Sequence, residues 1–307
     1  MRDAFFQALT KAAAVDPRVI LLTADLGYRI FDEFAEKFPQ RFFNMGVAEA
    51  NMVSVAAGLA LEGMRPFIYS IAPFATTRCL EQIRNNLCNM RLPVVVTGVG
   101  GGYAYGFNGA THHGVDDIGV MRAMPGMTVV CPCDPRQTAD AVKALLRSLR
   151  GPAYLRLNRA GEAVLPGTEG NFVLGRPSIL RPGKKVALAA CGSVAEEALG
   201  ATEPLLQQGI SPLVLAVHTV KPISGLKDCL ERAEIELLVT IEEHGPCGGL
   251  FEAVSAHLYP QSLKPRLKGL HAPDRFLHVG GSQRSLRRKL GLDAAGIARA
   301  VIECLEV

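Results

Sequence analysis

A single carboxylate heads an apolar stretch near the start of this chain. Residues 41–52 read Arg-Phe-Phe-Asn-Met-Gly-Val-Ala-Glu-Ala-Asn-Met, and small apolar residues continue without another charge to Leu61. This pattern predicts that Glu49 lies in the first turn of a helix that is buried nearly all round. An ionised carboxylate is costly to bury. Either chemistry requires Glu49 or the acid complements the helix dipole, and the pattern alone leaves both readings open.

A glycine-rich loop with adjacent histidines is the second feature that could do chemistry. Glycines are dense over residues 98–102 and again over residues 106–114, after a predicted strand. Loops at the carboxyl ends of strands form the ligand crevice of open α/β sheets. His112 and His113 could act there as acid/base or hydroxyl-binding groups, or could lie in a solvated turn. The glycines do not form the GxGxxG pattern that opens a helix, so a nicotinamide cofactor is only weakly indicated.

Strand and helix patterns alternate through the first half, which predicts a parallel sheet covered on both faces. Asp116 and Asp117 are expected to begin a helix, where the dipole favours acids. The predicted strands are Val19–Thr23, Pro66–Tyr69, Val94–Thr97, Thr128–Cys131 and Ala153–Arg156, and the predicted helices are Asp3–Ala14, Ala48–Leu61, Thr76–Asn89 and Arg136–Leu149.

A second alternating set predicts a smaller α/β domain after a linker rich in glycine and proline. We predict domains over residues 1–165 and 183–307, joined by residues 166–182. The fold class is therefore α/β with two doubly wound domains. The second domain's predicted strands are Val186–Ala190, Pro212–Val217, Leu237–Ile241 and Phe276–Val279, and its predicted helices lie near Ala195–Gln208, Gly248–His257 and Ala294–Leu305.

Composition excludes several classes of protein. The 307 residues carry a formal net charge of +4, and the basic residues are scattered apart from Arg284, Arg287, Arg288 and Lys289. We interpret that cluster as a solvated helix face and expect no nucleic-acid partner. The eight cysteines are dispersed, and Cys131-Pro-Cys133 has the wrong spacing for a redox pair or a zinc site. Without a signal-peptide pattern or a membrane-length apolar run, we expect reduced thiols and a cytoplasmic location with no membrane partner.

Several motifs, in order, resemble the transketolase family along the whole chain. The segments Met-Gly-Val-Ala-Glu49-Ala-Asn-Met, Asn-Gly-Ala-Thr-His112-His and Met121-Arg-Ala-Met-Pro-Gly-Met, with Pro132 and Asp134 after them, resemble its pyrimidine-binding domain. The segments Thr219-Val-Lys-Pro222 and Ile241-Glu-Glu-His-Gly-Pro-Cys-Gly-Gly249 resemble its C-terminal domain. The resemblance favours a functional role for Glu49 and His112 over a purely structural one.

The resemblance implies thiamine diphosphate as the cofactor, bound between two domains. It implies that Glu49 contacts N1′ of the aminopyrimidine and that Phe74 packs against the pyrimidine ring. A carboxylate at N1′ favours the tautomer whose 4′ nitrogen removes the thiazolium C2 proton, which makes Glu49 a catalytic residue as well as a cofactor ligand.

The resemblance also implies a set of substrate residues. Arg2 and Arg159 match arginines that hold a sugar phosphate, as paired guanidiniums can, Asp25 matches a position near the active site, and His112 matches a histidine that contacts substrate oxygens. Asn108 stands where the family usually has aspartate, and an upstream histidine of the family is replaced by residues 100–103, Gly-Gly-Gly-Tyr. These departures leave the sugar open. A pentose-phosphate ketose stays a candidate donor, and a modified or nucleotide-linked sugar is a hypothesis that fits a roomier glycine loop.

The Gly-Asp-Gly motif with which transketolases hold Mg²⁺ and the diphosphate does not occur in the sequence. The chain therefore resembles the C-terminal subunit of a split transketolase. This implies a separate N-terminal subunit that carries the motif and most of the Mg²⁺ contact, an α₂β₂ assembly in which this chain also self-dimerises, and no metal ligands in this chain.

Three alternatives stay open. The chain could be the β subunit of a 2-oxo acid dehydrogenase or half of an enzyme like deoxyxylulose-phosphate synthase, both of which use thiamine diphosphate. A non-catalytic subunit that only stabilises an enzyme is the alternative of another class. Within the C-terminal domain, His244 is expected to be structural.

Overall fold

The computed structural model describes residues 1–27, 29–170, 172–261 and 264–306. Within them, a seven-stranded sheet is ordered β10-β5-β6-β4-β3-β1-β2 and a five-stranded sheet is ordered β12-β11-β8-β9-β7. The strands are β1 (Val19–Thr23), β2 (Phe42–Asn44), β3 (Arg65–Ile71), β4 (Val95–Val99), β5 (Thr128–Val130), β6 (Ala153–Leu157), β7 (Ser178–Arg181), β8 (Val186–Cys191), β9 (Leu213–Ala216), β10 (Thr219–Lys221), β11 (Leu237–Glu242) and β12 (Arg266–Leu270).

Helices cover both sheets. They are α1 (Arg2–Val15), α2 (Asp32–Lys37), α3 (Glu49–Leu61), α4 (Ala72–Ala75), α5 (Leu80–Gln82), α6 (Asp117–Ala123), α7 (Pro135–Ser148), α8 (Ala195–Gly200), α9 (Thr202–Gln207), α10 (Leu226–Arg232), α11 (Leu250–Leu258), α12 (Gln283–Leu290) and α13 (Ala294–Leu305). The fold class predicted from the sequence, two α/β domains built on mostly parallel sheets, is confirmed.

The predicted strands of the first half are confirmed because their residues form the buried centre of a parallel sheet. Every residue of β1, β4 and β6 is buried, which is typical of strands covered on both faces. Strand β3 pairs in parallel with β1 and β4, and β4 pairs in parallel with β6. The carboxyl ends of these strands therefore meet at one edge of the sheet.

The helix predicted over Thr76–Asn89 is wrong as a single element. The segment from Ala72 to Cys88 contains α4, a 3-10 turn over Thr77–Cys79, α5 and a π-helical turn over Ile83–Cys88. The helix predicted over Ala195–Gln208 is likewise divided, after a 3-10 turn, into α8 and α9. Periodicity predicts which face is buried, but it does not detect such local changes in helical winding.

The strand predicted over Phe276–Val279 is wrong, and the edge of the second sheet is β12 instead. Phe276 is 62% exposed, and residues 276–279 have no regular structure. Strand β12 pairs in parallel with β11, from Leu237 opposite Arg266 to Ile241 opposite Leu270. Its exposed Arg-Leu-Lys sequence lacks the apolar run by which the inner strands were predicted.

Two short antiparallel strands each form one edge of a sheet. Strand β10, from the second half, extends the first sheet by pairing antiparallel with β5, so that Thr219 lies opposite Val130. Strand β7, at the end of the segment predicted as a linker, pairs antiparallel with β9 in the second sheet. Strand β10 therefore attaches the second half of the chain to the first sheet, and the boundaries at 165 and 182 remain a prediction.

Among the described residues, none of the helices combines the length and the apolar character needed to cross a bilayer. The eight cysteines are free, and five of them are buried as small core residues.

His218 directly precedes β10, where the second half of the chain meets the first sheet. Its burial leads us to predict that the stability of the protein depends on pH. Its side chain is fully buried, its ring stacks on Phe172 at 4.1 Å, and its carbonyl accepts a hydrogen bond from Cys131 N–H at 2.7 Å. Burial lowers the pKa of His218 from 6.5 to about 3. Between these values the unfolded chain binds a proton that the folded chain does not, so stability falls as the pH is lowered.

We expect the free energy of unfolding to fall by as much as about 1.4 kcal/mol per pH unit below pH 6.5 on account of His218. His218→Gln should remove this part of the slope in urea unfolding measured across that range. His278→Gln, at an exposed position, is the matched control. An unchanged slope in His218→Gln would contradict the assignment.

Candidate active site

Glu49 is the first residue of α3, as predicted, and its side chain is 2% exposed. The helix has no side-chain cap at Ala48. Arg78 Nη1 donates to both carboxylate oxygens at 2.9 Å, and Ser70 Oγ, near the end of β3, donates to one of them at 3.2 Å. The buried charge is therefore paired and hydrogen-bonded, which is a more specific arrangement than a helix-dipole contact alone.

Phe74 contacts Arg78 of this ion pair, and His112 contacts Phe74. The Arg78 guanidinium lies over the Phe74 ring, with its carbon 4.0 Å from the ring centroid. The edge-to-face contact between Phe74 and His112 brings their ring centroids to 5.1 Å. The structure thus brings together Glu49, Phe74 and His112, which the resemblance selected from three separate segments.

Tyr105 lies between His112 and Arg159, one of the two predicted phosphate arginines. Its ring centroid lies 6.4 Å from that of His112 and 5.6 Å from the guanidinium carbon of Arg159. Burial raises the pKa of Tyr105, while the positive charges of Arg159 and Arg2 act to lower it. Arg159 therefore lies beside Tyr105, while the side chain of Arg2 is hydrogen-bonded to Asp3 at 3.4 Å.

Asp25 and Asn108 are less closely associated with the others. Asp25 follows β1 with φ +50°, and its carboxylate accepts a hydrogen bond from the Asn44 amide at 3.1 Å. Asn108 is exposed in a 3-10 turn over Gly106–Asn108. No hydrogen bond within the described part of the chain joins either side chain to Glu49 or His112.

The glycines of residues 100–102 make room for the protein's own side chains. A Cβ on Gly100 would collide with the Tyr105 ring, one on Gly101 with the Arg156 guanidinium, and one on Gly102 with Glu243. The space beside these three Cα atoms is therefore already filled, and the fit of the loop to an unusual sugar stays a prediction. Gly109, with φ +80°, has open space on its Cβ side.

The two adjacent histidines of the loop have different environments. His113 is 3% exposed, packs against Tyr103 at a centroid distance of 5.1 Å, and has a pKa lowered by burial. It is therefore neutral at pH 7 and packs inside the loop. His112 is partly exposed beside Phe74 and is the histidine available to a ligand.

Asp117 begins α6, as predicted, but its main contact is a buried ion pair. Arg156 Nε donates to Asp117 Oδ2 at 2.8 Å, and the Tyr154 hydroxyl donates to the same oxygen. Burial alone would lower the pKa of Arg156, but the Asp117 carboxylate, among other groups, raises it, so the guanidinium stays charged. Arg156 also donates to the carbonyls of Gly114 and Glu243, which lie in the glycine-rich loop and the second sheet's domain.

The basic cluster near the end of the chain is not entirely a solvated face. Arg287 is 5% exposed and donates to Glu243 Oε2 at 2.7 Å, to which Gln283 also donates at 2.8 Å. Gln283 in turn accepts a hydrogen bond from Asn158, the neighbour of Arg159. The interpretation as a solvated helix face is wrong for Arg287, and this network connects α12 to Asn158, just after β6.

His244 has a structural contact, as expected. Its Nε2 accepts a hydrogen bond from Gly119 N–H in α6 at 3.0 Å, which joins the two halves of the chain.

Sequence reasoning did not select Arg78, Tyr105 or Arg156. Helical spacing does not indicate Arg78, because Phe74 lies in α4 and Arg78 in the separate 3-10 turn over Thr77–Cys79. Arg156 is inside a strand that was predicted correctly, yet nothing in its alternation indicates its partner in α6. Among the described residues, no group of three or more His, Cys, Asp or Glu side chains forms a candidate metal site.

The fold and the site together define a class of protein with two mostly parallel α/β units, the first of which carries a buried, paired glutamate beside the end of β3. Residues 1–161 match the family model of the transketolase pyrimidine-binding domain, and residues 175–297 match that of the transketolase C-terminal domain. The chain belongs to the transketolase family, whose members use thiamine diphosphate.

Known relatives agree with a split arrangement. The chain is 35% identical to one of the subunits of the apulose-4-phosphate transketolase of Phocaeicola vulgatus, covering 98% of this chain and 96% of that protein. It is 36% identical to the 1-deoxy-D-xylulose-5-phosphate synthase of Chlorobium luteolum, but covers only 48% of that longer protein. A solved split-gene transketolase, described as an inactive β₄ tetramer, matches with TM-score 0.89 and 34% identity over 99% of this chain and 98% of that one.

Removing one partner of the Arg156–Asp117 pair should be strongly destabilising, because the other charge is left buried. We expect Arg156→Met to lower the free energy of unfolding by about 3–5 kcal/mol. The comparison is with Arg147→Met, an exposed position at the end of α7, in calorimetry of both variants. A loss of under about 1 kcal/mol, the range of exposed pairs, would show that the pair does not stabilise the contact between the two domains.

Proposed function

We propose that this chain is the C-terminal subunit of a thiamine diphosphate-dependent transketolase that transfers a two-carbon ketol unit between sugar phosphates. The observation that carries the proposal is the buried Glu49 carboxylate, held by Ser70 at the head of α3 and followed by Phe74 and His112. A buried, oriented carboxylate beside an aromatic ring is suited to hold a protonated ring nitrogen of a flat ligand.

The side chains present fit the pyrimidine half of the cofactor. Glu49 would accept the hydrogen bond of the ring nitrogen N1′, and Phe74 would contact the ring face. When bound, thiamine diphosphate supplies the electron sink for the two-carbon transfer. Glu49 would hold the proton at N1′, and the low exposure of its side chain would keep water from that proton.

The substrate would lie along the line from His112 to Tyr105 and Arg159. His112, partly exposed, would donate to or accept from sugar hydroxyls. Arg159 and Arg2 would bind the phosphate, because guanidiniums match phosphate geometry. Asp25, hydrogen-bonded to Asn44, and Asn108, which is exposed, would be substrate contacts at the periphery of the site.

An N-terminal subunit would complete the site. We propose that it carries Gly-Asp-Gly, holds Mg²⁺ and the diphosphate, and assembles with this chain as α₂β₂. The sequence without Gly-Asp-Gly supports this, as does similarity to a protein named as one subunit of a transketolase and to a split-gene enzyme whose β₄ form is described as inactive.

Deoxyxylulose-phosphate synthesis is the second candidate, favoured by the 36% identity to the Chlorobium luteolum synthase. The complex should be assayed with xylulose 5-phosphate plus ribose 5-phosphate, with apulose 4-phosphate plus an aldose phosphate, and with pyruvate plus glyceraldehyde 3-phosphate. Pyruvate turnover would favour the synthase, and turnover of a 2-oxo acid with a lipoyl acceptor would favour a dehydrogenase β subunit.

Glu49→Gln should reduce two-carbon transfer by the co-expressed complex by about 10²–10⁴-fold, the usual contribution of a positioned proton-transfer group. The reason is that an amide cannot hold the proton at N1′ as a carboxylate does. Glu81→Gln, at an exposed position in α5, is the matched control. Full activity of an assembled Glu49→Gln complex would favour a non-catalytic stabilising subunit.

Arg159→Met should lower kcat/KM for phosphorylated sugars by about 10–100-fold, since a charge-assisted hydrogen bond is lost. For the same sugars without phosphate the variant and the unmodified complex should differ little. Steady-state kinetics on both sugar series tests this, and equal losses on both would remove Arg159 from the phosphate site.

A further inference from the structure

Arg78 makes two contacts that the proposed function assigns to the cofactor. Its guanidinium donates to both Glu49 oxygens at 2.9 Å and lies 4.0 Å above the Phe74 ring centroid. A flat donor on the carboxylate, set against the aromatic ring, reproduces the contacts proposed for an aminopyrimidine. A pyrimidine ring could therefore contact Glu49 and Phe74 only after Arg78 had left this position.

The surroundings of Arg78 explain why it occupies this place. The Glu49 side chain is 2% exposed, so without the cofactor its charge needs a cation partner. The Arg78 side chain is 44% exposed and extends from the 3-10 turn over Thr77–Cys79, between two short helices. It can therefore move toward solvent without opening a packed core.

We propose that Arg78 holds the place of the cofactor pyrimidine in the unloaded chain and leaves Glu49 and Phe74 when the cofactor binds. The inference rests on the proposed function, because it takes Glu49 and Phe74 as the pyrimidine contacts. Two consequences follow. The contact stabilises the unloaded chain, and it lowers cofactor affinity by the free energy needed to break it.

The first consequence is tested in the chain by itself with a double-mutant cycle. Arg78→Met should lower the melting temperature by a few degrees, because a buried carboxylate is left without its cation. In the Glu49→Gln background the same substitution should have little effect. Arg84→Met, an exposed arginine that hydrogen-bonds its neighbour Asn85, is the control. Equal effects in both backgrounds would overturn the coupling.

The second consequence is tested by calorimetric titration of thiamine diphosphate, with Mg²⁺ and no sugar, into the complex of this chain and its partner. Arg78→Met should bind the cofactor about tenfold more tightly, equivalent to about 1.4 kcal/mol. Arg78→Lys should fall between the two, because an ammonium is a point charge without a flat face. Arg84→Met should bind as the unmodified complex does. Unchanged or weaker binding by Arg78→Met would overturn the displacement.

The outcomes separate this inference from the proposed function. An unmodified, assembled complex that does not bind thiamine diphosphate overturns both. A complex that binds it, with turnover lost in Glu49→Gln but no tighter binding in Arg78→Met, overturns the displacement and leaves the proposed function standing.

Discussion

The buried Arg156–Asp117 ion pair is the interaction on which the arrangement of the candidate site depends. Arg156 extends from β6 in the middle of the first sheet, and its guanidinium bonds at once to α6, to the Gly114 carbonyl and to the Glu243 carbonyl. The Arg156 guanidinium therefore holds together the glycine-rich loop, α6 and the second domain. Because that group is charged and fully buried, each bond also compensates its desolvation, so none can be lost without cost to the others.

The second domain takes part in shaping the site through Glu243. Its carbonyl binds Arg156, its side chain binds Gln283 and Arg287, and its Cβ fills the space beside Gly102. Gln283 then reaches Asn158, next to the proposed phosphate ligand Arg159. The second domain contacts the glycine-rich loop at Gly102 and the chain after β6 at Asn158. These contacts limit how far the loop and the end of β6 can move. They thereby connect the C-terminal domain with the loop and with the chain that leads to Arg159.

Elements with a regular apolar pattern could be predicted from the sequence, whereas contacts between residues far apart in the chain could not. Strands β1, β4 and β6 were predicted because both faces are buried, and Glu49 because it interrupts an apolar helix pattern. Strand β12 was missed because an exposed edge strand carries polar residues. The partners Arg78 of Glu49 and Arg156 of Asp117 lie 29 and 39 residues away, and no local pattern specifies a contact across that distance. The resemblance supplied Phe74, His112, Arg2 and Arg159, whose roles remain predictions.

The packing of the glycine-rich loop changes how its unusual sequence should be interpreted. Three consecutive glycines at the place of a family histidine first suggested extra room for substrate. In the structure they admit Tyr105, Arg156 and Glu243 at distances that no Cβ would allow. The glycines therefore accommodate packed side chains of the loop itself, of β6 and of the second domain, and Tyr105 lies beside His112 and Arg159. The exposed part of the loop lies beyond this run, at Phe107 and Asn108. The glycine run is therefore evidence of close packing and not of a wider ligand site.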